Sequence, residues 1–337
     1  MRPVRQNDKT GANGAGVRRG VGVLALVLLA SGCAGTGAAP APGADGTGAA
    51  PAPGADGTGA APAPGADGTG AAPVLRAGPQ AAPARALAAY ASRLRLAQAR
   101  RAAVARRWGL AEVPLTPPAP PARKPVVQAR EGFEVDGQKE LGLPPVFTTV
   151  PTEDKVVFLT VDDGAEKDPA FLRMMSDLKI PYTAFLSDFL VEDDYGYFRR
   201  MRDRGVTLDN HTLHHPYLPA LSYARQKREI CGMQDVMEKQ FGRRPAVFRP
   251  PYGNYDQDTL RAAKSCGIRY APLWNEEVFP DHWEYREEDR ELHPGDIVLT
   301  HFQGRGQWKG TMPDVVRRFL RTVTAEGYAV ARLEDYL

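Results

Sequence analysis

From Lys155 to the C-terminus, short apolar runs alternate with amphipathic stretches, and that alternation limits what this part of the chain can fold into. Val156–Val161 is a nearly continuous apolar run ending at Asp162, the pattern of a strand buried on both faces. Asp168–Leu178 reads as a helix capped by Asp168, with Pro169 at its first position. Tyr182–Leu186 is a second strand, Tyr197–Arg204 a short helix and Val206–Asp209 a third strand. A long helix over Ser222–Phe241, stopped by Gly242, leads to a strand at Ala246–Phe248. There follow a helix at Asp256–Ser265, strands at Ile268–Trp274 and Asp296–Thr300, a helix at Pro313–Ala325 and a last strand at Tyr328–Arg332. Strands alternating with helices predict βα units around a parallel sheet.

The polar residues follow the same order. Asp162, Asp163, His211, Arg249 and His301 each stand at or just past the C-terminal end of a predicted strand. In a closed βα barrel those ends converge on one face, where active sites are built. An open sheet would spread them along an edge. The sequence therefore predicts an α/β barrel in which Asp162 and His301, 139 positions apart, meet.

The first third of the chain cannot build such a core. From Gly35 to Pro73 the unit GTGAAPAPGAD repeats every 11 residues without an aromatic or large aliphatic side chain. It buries too little apolar surface to offset the entropy of ordering, so residues 34–82 read as an extended, disordered linker. Residues 83–108, rich in Ala, Leu and Arg, favour one helix. The Pro-rich stretch 109–130, with VPLTPPAPPARKP at its centre, reads as a second linker, and residues 131–337 as the catalytic domain. The net charge of +3 owes much to the arginines of the helix. No nucleic-acid-binding fold accompanies them, so a solvated helix, or one touching an acidic wall polymer or anionic lipid, is the better reading.

At the N-terminus, Arg2, Arg5, Lys9, Arg18 and Arg19 precede the apolar run Val21–Ala30, too short to span a bilayer. It fits a secretory signal over residues 1–33. Leu29-Ala30-Ser31-Gly32-Cys33 resembles a bacterial lipobox, with Cys33 as the lipid-bearing first residue of the mature chain. The expected location is thus extracytoplasmic, lipid-anchored to the bacterial membrane or secreted; export by the general or the twin-arginine route stays open. The remaining cysteines, Cys231 and Cys266, form an even pair in an oxidising compartment, to be read as a disulfide or as two buried thiols.

Thr160-Val161-Asp162-Asp163-Gly164 and His211-Thr212-Leu213-His214-His215-Pro216 carry the chemistry. A catalytic zinc site has three protein ligands and leaves a position for water. One Asp and two His suffice, and His211 with His215, or with His214, share a helical face. A second Asp serves as base and His301 as acid.

Residues 155–337 resemble the polysaccharide deacetylase (NodB-homology) domain of carbohydrate esterase family 4, on the motifs TVDDG, HTLHHP, RPPYG and LHPGDIVLTH. The resemblance implies a distorted (β/α)7–8 barrel and a metal-dependent deacetylase acting on N-acetylated sugars of a polymer. It implies Asp162 as general base, Asp163, His211 and His215 as ligands of a divalent metal, zinc first and cobalt as the alternative, and His301 as acid. Arg249 would orient the base, Tyr252 would offer its backbone N–H to the oxyanion, and Leu299 would floor the acetyl pocket. The family's Asp-x-x-Asp-Trp motif is absent. In its region stands Trp274–Trp283, where Glu277 or Asp281 would support His301. Trp274, with Tyr217, Phe302 and Trp308, either stacks on sugar rings or fills an ordinary packing position.

The expected substrate is an acetylated glycan of the cell envelope, peptidoglycan above others, with no nucleic-acid partner. Chitin oligomers, an exported polysaccharide and O-acetyl xylan are the alternative polymers. The rival from another class is a sugar-binding wall protein impaired in turnover by its altered fourth motif.

Overall fold

The computed structural model describes residues 81–337. The expected signal segment 1–33 with Cys33, and the repeat linker up to residue 80, lie outside the described residues. A helix, α1 (Ala81–Arg107), precedes a short strand, β1 (Val146–Phe147). Then come β2 (Val156–Asp163), α2 (Pro169–Leu178), β3 (Thr183–Leu186), α3 (Asp188–Val191), α4 (Tyr195–Arg202) and β4 (Thr207–Asn210). The helices α5 (Tyr223–Phe241) and α6 (Gln257–Ser265) lead to the short strands β5 (Ala271–Pro272), β6 (Glu276–Val278) and β7 (Trp283–Tyr285). The chain closes with β8 (Ile297–His301), α7 (Met312–Ala325) and β9 (Ala329–Val330).

β2 is the axis of the sheet. It pairs in parallel with β3 along one edge and β8 along the other, a register that sets Asp162 opposite His301. β3 pairs with β4, and β8 with β6. Two parallel bridges, Asn210 to Phe248 and Val247 to Tyr270, carry the pairing onward from β4 to the segment that enters β5 and bends into β6. The pairings thus run in a ring. It is a distorted barrel: the strand expected at 246–248 contributes only bridges, and the one expected at 268–274 is reduced to β5 and a bridge. β9 pairs with the start of β2, and β7 runs antiparallel to β6 outside the parallel set.

Alternation along β2 sorts its side chains. Val157, Leu159 and Val161 pack against Phe171, Met174 and Phe319 of the surrounding helices. Val156 and Phe158 face inward with Leu299 and Tyr336, and a strand's period of two puts Thr160 and Asp162 on that same inner side. Gly164 then turns the chain at φ 103°, where a Cβ would meet Val191 Cγ1 at 2.3 Å.

The helices end where the residues dictate. Asp168 accepts the Ala170 N–H at 2.7 Å at the start of α2, and Gly242 adopts the left-handed conformation that closes α5. Asp256 and Thr259 form a reciprocal cap on α6. Cys231 on α5 and Cys266 at the end of α6 are joined, with Cα atoms 5.1 Å apart. A 35-residue separation corresponds to about 4 kcal/mol in the chain-entropy model. Reduction should therefore lower the melting temperature clearly, read by thermal denaturation with and without a thiol.

The arginine-rich helix meets the domain only at its C-terminal end. Ala105 and Leu110 are buried in the core, Arg107 pairs with Asp177 at 2.8 Å, and Trp108 Nε1 donates to the same carboxylate at 2.9 Å. Leu87, Tyr90 and Leu94 are exposed. Residues 113–130 run along the domain rather than away from it: Leu115 bridges to Ala329 and the Arg130 N–H donates to the Val146 carbonyl at 2.8 Å.

Candidate active site

The inner face of β2 delivers Asp162 to a fully buried guanidinium. Arg249 Nη1 donates to Asp162 Oδ1 at 2.8 Å and to Thr160 Oγ1 at 2.9 Å. Its Nε reaches the Pro272 carbonyl at 3.0 Å and its Nη2 the Leu273 carbonyl at 3.2 Å. The cation also lies over the Phe185 ring, 4.3 Å from the centroid. A buried ion pair is tolerated only when its other polar atoms are bonded, and here each guanidinium nitrogen has a partner. Burial pushes the Asp162 carboxyl up to about 6, against the downward pull of Arg249. It is ionised at neutral pH and able to take a proton.

Asp163, His211 and His215 converge beside it, each offering one ligand atom within 4.8 Å of the others. His211 Nε2 lies 3.6 Å and His215 Nε2 3.4 Å from Asp163 Oδ1. That oxygen is buried without a hydrogen-bond partner among the described residues. The Nδ1 of His211 faces the Arg249 carbonyl at 2.7 Å, so Nδ1–H donates there and Nε2 keeps its lone pair for the cluster. Burial drives both imidazoles down to about 4, His215 also feeling His211. Two neutral imidazoles and an unpartnered carboxylate oxygen make a donor set that fits a divalent cation.

Backbone strain marks the same place. Of the six non-glycine residues with positive φ among the described residues, four are Asp163, Thr212, His215 and Tyr252. Such conformations persist where the surroundings impose them and cluster at functional sites. The Asn210 side chain anchors the histidine turn, accepting the Thr212 N–H at 2.9 Å while donating to the Ile230 carbonyl at 2.9 Å.

On the other side stands His301, whose Nδ1 is 3.0 Å from Glu277 Oε1. Its outer edge opens on the mouth, the side chain being 24% exposed. Burial disfavours the charged ring, but the Glu277 carboxylate, by charge and hydrogen bond, outweighs it and holds His301 up to about 9. Of the two acids offered by the sequence, Glu277 meets the histidine. Asp281 is half-exposed and pairs with His282 at 2.8 Å.

The remaining expected residues divide. Tyr252 is half-exposed, its ring 4.5 Å from that of His215, and Tyr217 is exposed. Leu299 is buried on β8, and Phe302 is buried. Trp274 does not lie open to substrate: it is buried, 5.6 Å from the Arg249 guanidinium and packed under Gly253. Trp308 is half-buried against Phe279. His214 points outward to Glu229 at 3.0 Å, which leaves His211 and His215 as the imidazoles of the cluster. Sequence reasoning missed Asn210 and Ser187, whose hydroxyl donates to the His211 carbonyl at 2.8 Å. Their only sequence signal is a small polar residue at the end of a buried strand.

The polysaccharide deacetylase family profile matches residues 149–271. An uncharacterized protein of Streptomyces coelicolor is 42% identical over 203 residues, covering 60% of this chain and 81% of the relative. A peptidoglycan-N-acetylmuramic acid deacetylase of Bacillus subtilis is 30% identical over 205 residues, covering 57% of this chain and 41% of the relative. The fold matches a solved peptidoglycan N-acetylglucosamine deacetylase with a TM-score of 0.53 at 21% identity, over 61% of this chain and 97% of the other. The chain belongs to the polysaccharide deacetylase family.

Proposed function

We propose that the chain is a metal-dependent N-deacetylase of a cell-envelope polysaccharide, with peptidoglycan amino sugars as its substrate. The observation that carries this reading is Asp163 Oδ1, buried without a partner between two neutral imidazoles and one residue from an ionised Asp162. Asp163, His211 and His215 would hold a divalent cation, zinc first, that supplies Lewis acidity toward the acetyl carbonyl and acidifies water. Asp162, fixed by Arg249, takes a proton from the water that adds to the carbonyl carbon. The Tyr252 backbone N–H donates to the oxyanion. His301, charged through Glu277, gives its proton to the amide nitrogen as the C–N bond breaks, releasing acetate and a free amine. Asp162 as base and His301 as acid require opposite protonation states, and their shifts place them so at neutral pH.

The two shifts predict the pH profile. Activity rises with pH as Asp162 ionises, near 6, and a neighbouring cation would draw that limb lower. It falls as His301 loses its proton near 9. Glu277→Gln removes what holds His301 up, so the alkaline limb should move to lower pH; a limb unmoved in kcat against pH would exclude the pairing.

Substrate choice is tested by acetate release from purified peptidoglycan, chitin oligomers and acetyl xylan in parallel, with zinc or cobalt present. Release from peptidoglycan above the others is expected. Release only from chitin oligomers or xylan moves the activity to that polymer, and no release from any leaves a sugar-binding protein. We further infer a lipid-anchored, extracytoplasmic enzyme, on the lipobox-like sequence ending at Cys33 and the repeat after it.

A further inference from the structure

At the end of the barrel away from the metal-site residues, where the chain enters β3 and β4, two cavities lie side by side. One, of about 430 Å³, is lined by Lys179, Tyr182, Arg204 and Arg332 among others. The second, of about 490 Å³, lies beneath α1 and is lined by Arg100 and Arg101. They share Lys179, Ile180 and Pro181, so the two hollows adjoin as one trough.

Its charge is one-sided. Arg100, Arg101, Lys179, Arg204 and Arg332 have no carboxylate partner among the described residues. The only acid lining either cavity is Asp177, already held by Arg107 and Trp108. The Tyr182 hydroxyl, in a side chain only 4% exposed, has no hydrogen-bond partner among the described residues. Lys179 adds a second mark. It caps α2 at φ 56°, ψ 42°, a left-handed position that favours Gly or Asn. A lysine held there at a cost in backbone energy puts an ammonium on the wall between the two cavities.

Unpaired like charges around a concavity repel one another, and an anion relieves them. The shape selects among anions. Two adjoining hollows suit a chain with repeated charges better than a single ion, and a concave surface does not fit a flat bilayer. Guanidinium forks match phosphate oxygens two at a time, which a lone ammonium does not. We infer that this trough binds a phosphate-bearing polyanionic chain, at a site separate from the catalytic mouth. Such a site would hold the enzyme on an anionic polymer while the mouth works on a neighbouring acetylated glycan.

The test measures binding of inorganic polyphosphate to the whole chain by fluorescence anisotropy, at about 50 and 200 mM salt. Binding should weaken steeply with salt, and K179E/R332E should bind at least about 10-fold more weakly. R85Q/R93Q, on the exposed half of α1 outside the trough, should bind as the parent does. Unchanged melting temperatures, and unchanged acetate release from soluble oligomers, would show that both variants fold. If K179E/R332E does not fold, K179Q/R204Q replaces it, with the same loss expected. The inference is overturned by trough variants that bind like the parent, or by R85Q/R93Q losing as much as K179E/R332E. Anionic phospholipid vesicles that bind through the same residues while polyphosphate does not would overturn it as well.

Discussion

Asp162→Asn should abolish acetate release while the protein stays folded and still binds its metal. Asn keeps the shape of the side chain and can still accept from Arg249 Nη1, which contacts Oδ1 at 2.8 Å. It cannot take a proton. Loss of a positioned general base costs about 10²–10⁴-fold in rate, so kcat should fall by that amount. Zinc or cobalt stoichiometry should stay at the parent value, because the cluster is formed by Asp163, His211 and His215. Removing the charge also leaves Arg249 buried without its counter-ion, so some loss of melting temperature accompanies the change. Parent-like acetate release by this variant would remove Asp162 from the mechanism.

His211→Ala should act the other way round, through the metal. Two protein ligands hold a divalent ion far less well than three, and even loss of an outer hydrogen bond to a ligand lowers affinity by about 10–100-fold. Affinity should fall by at least about 100-fold, measured by competition with a chromogenic chelator, and activity should follow metal occupancy. The Arg249 carbonyl, which receives the His211 Nδ1–H at 2.7 Å, would lose its partner. Undiminished stoichiometry in the variant would show that the imidazole is not a ligand.

Much of this arrangement could be read from the sequence because the chemistry stands on the buried strands. The apolar run Val156–Val161 reads as a buried parallel strand ending at Asp162; the structure extends it to Asp163, and its period of two puts Asp162 on the inside with Thr160. The positions of His211 after β4, Arg249 after the Phe248 bridge and His301 at the end of β8 likewise follow from where apolar runs stop. What stayed hidden lies where local pattern is weak. Residues 276–278 and 283–285 are short and carry acids, so β6 and β7 show no hydrophobic period. The pairing of β6 with β8 is decided by contacts remote in the chain. The choice between Glu277 and Asp281 was open for the same reason: it depends on which side of β6 faces His301. Trp274 misled because an aromatic beside a sugar-processing motif reads as a platform, whereas this one fills space beneath a buried guanidinium.

The docking of α1 also decides where the chain enters the domain. Arg107 and Trp108 fasten the helix to Asp177, at the far end of α2 from Gly164, and Leu115 joins Ala329 at the entry to β2. The polypeptide therefore reaches the domain from behind, at the opposite pole from Asp162 and His301.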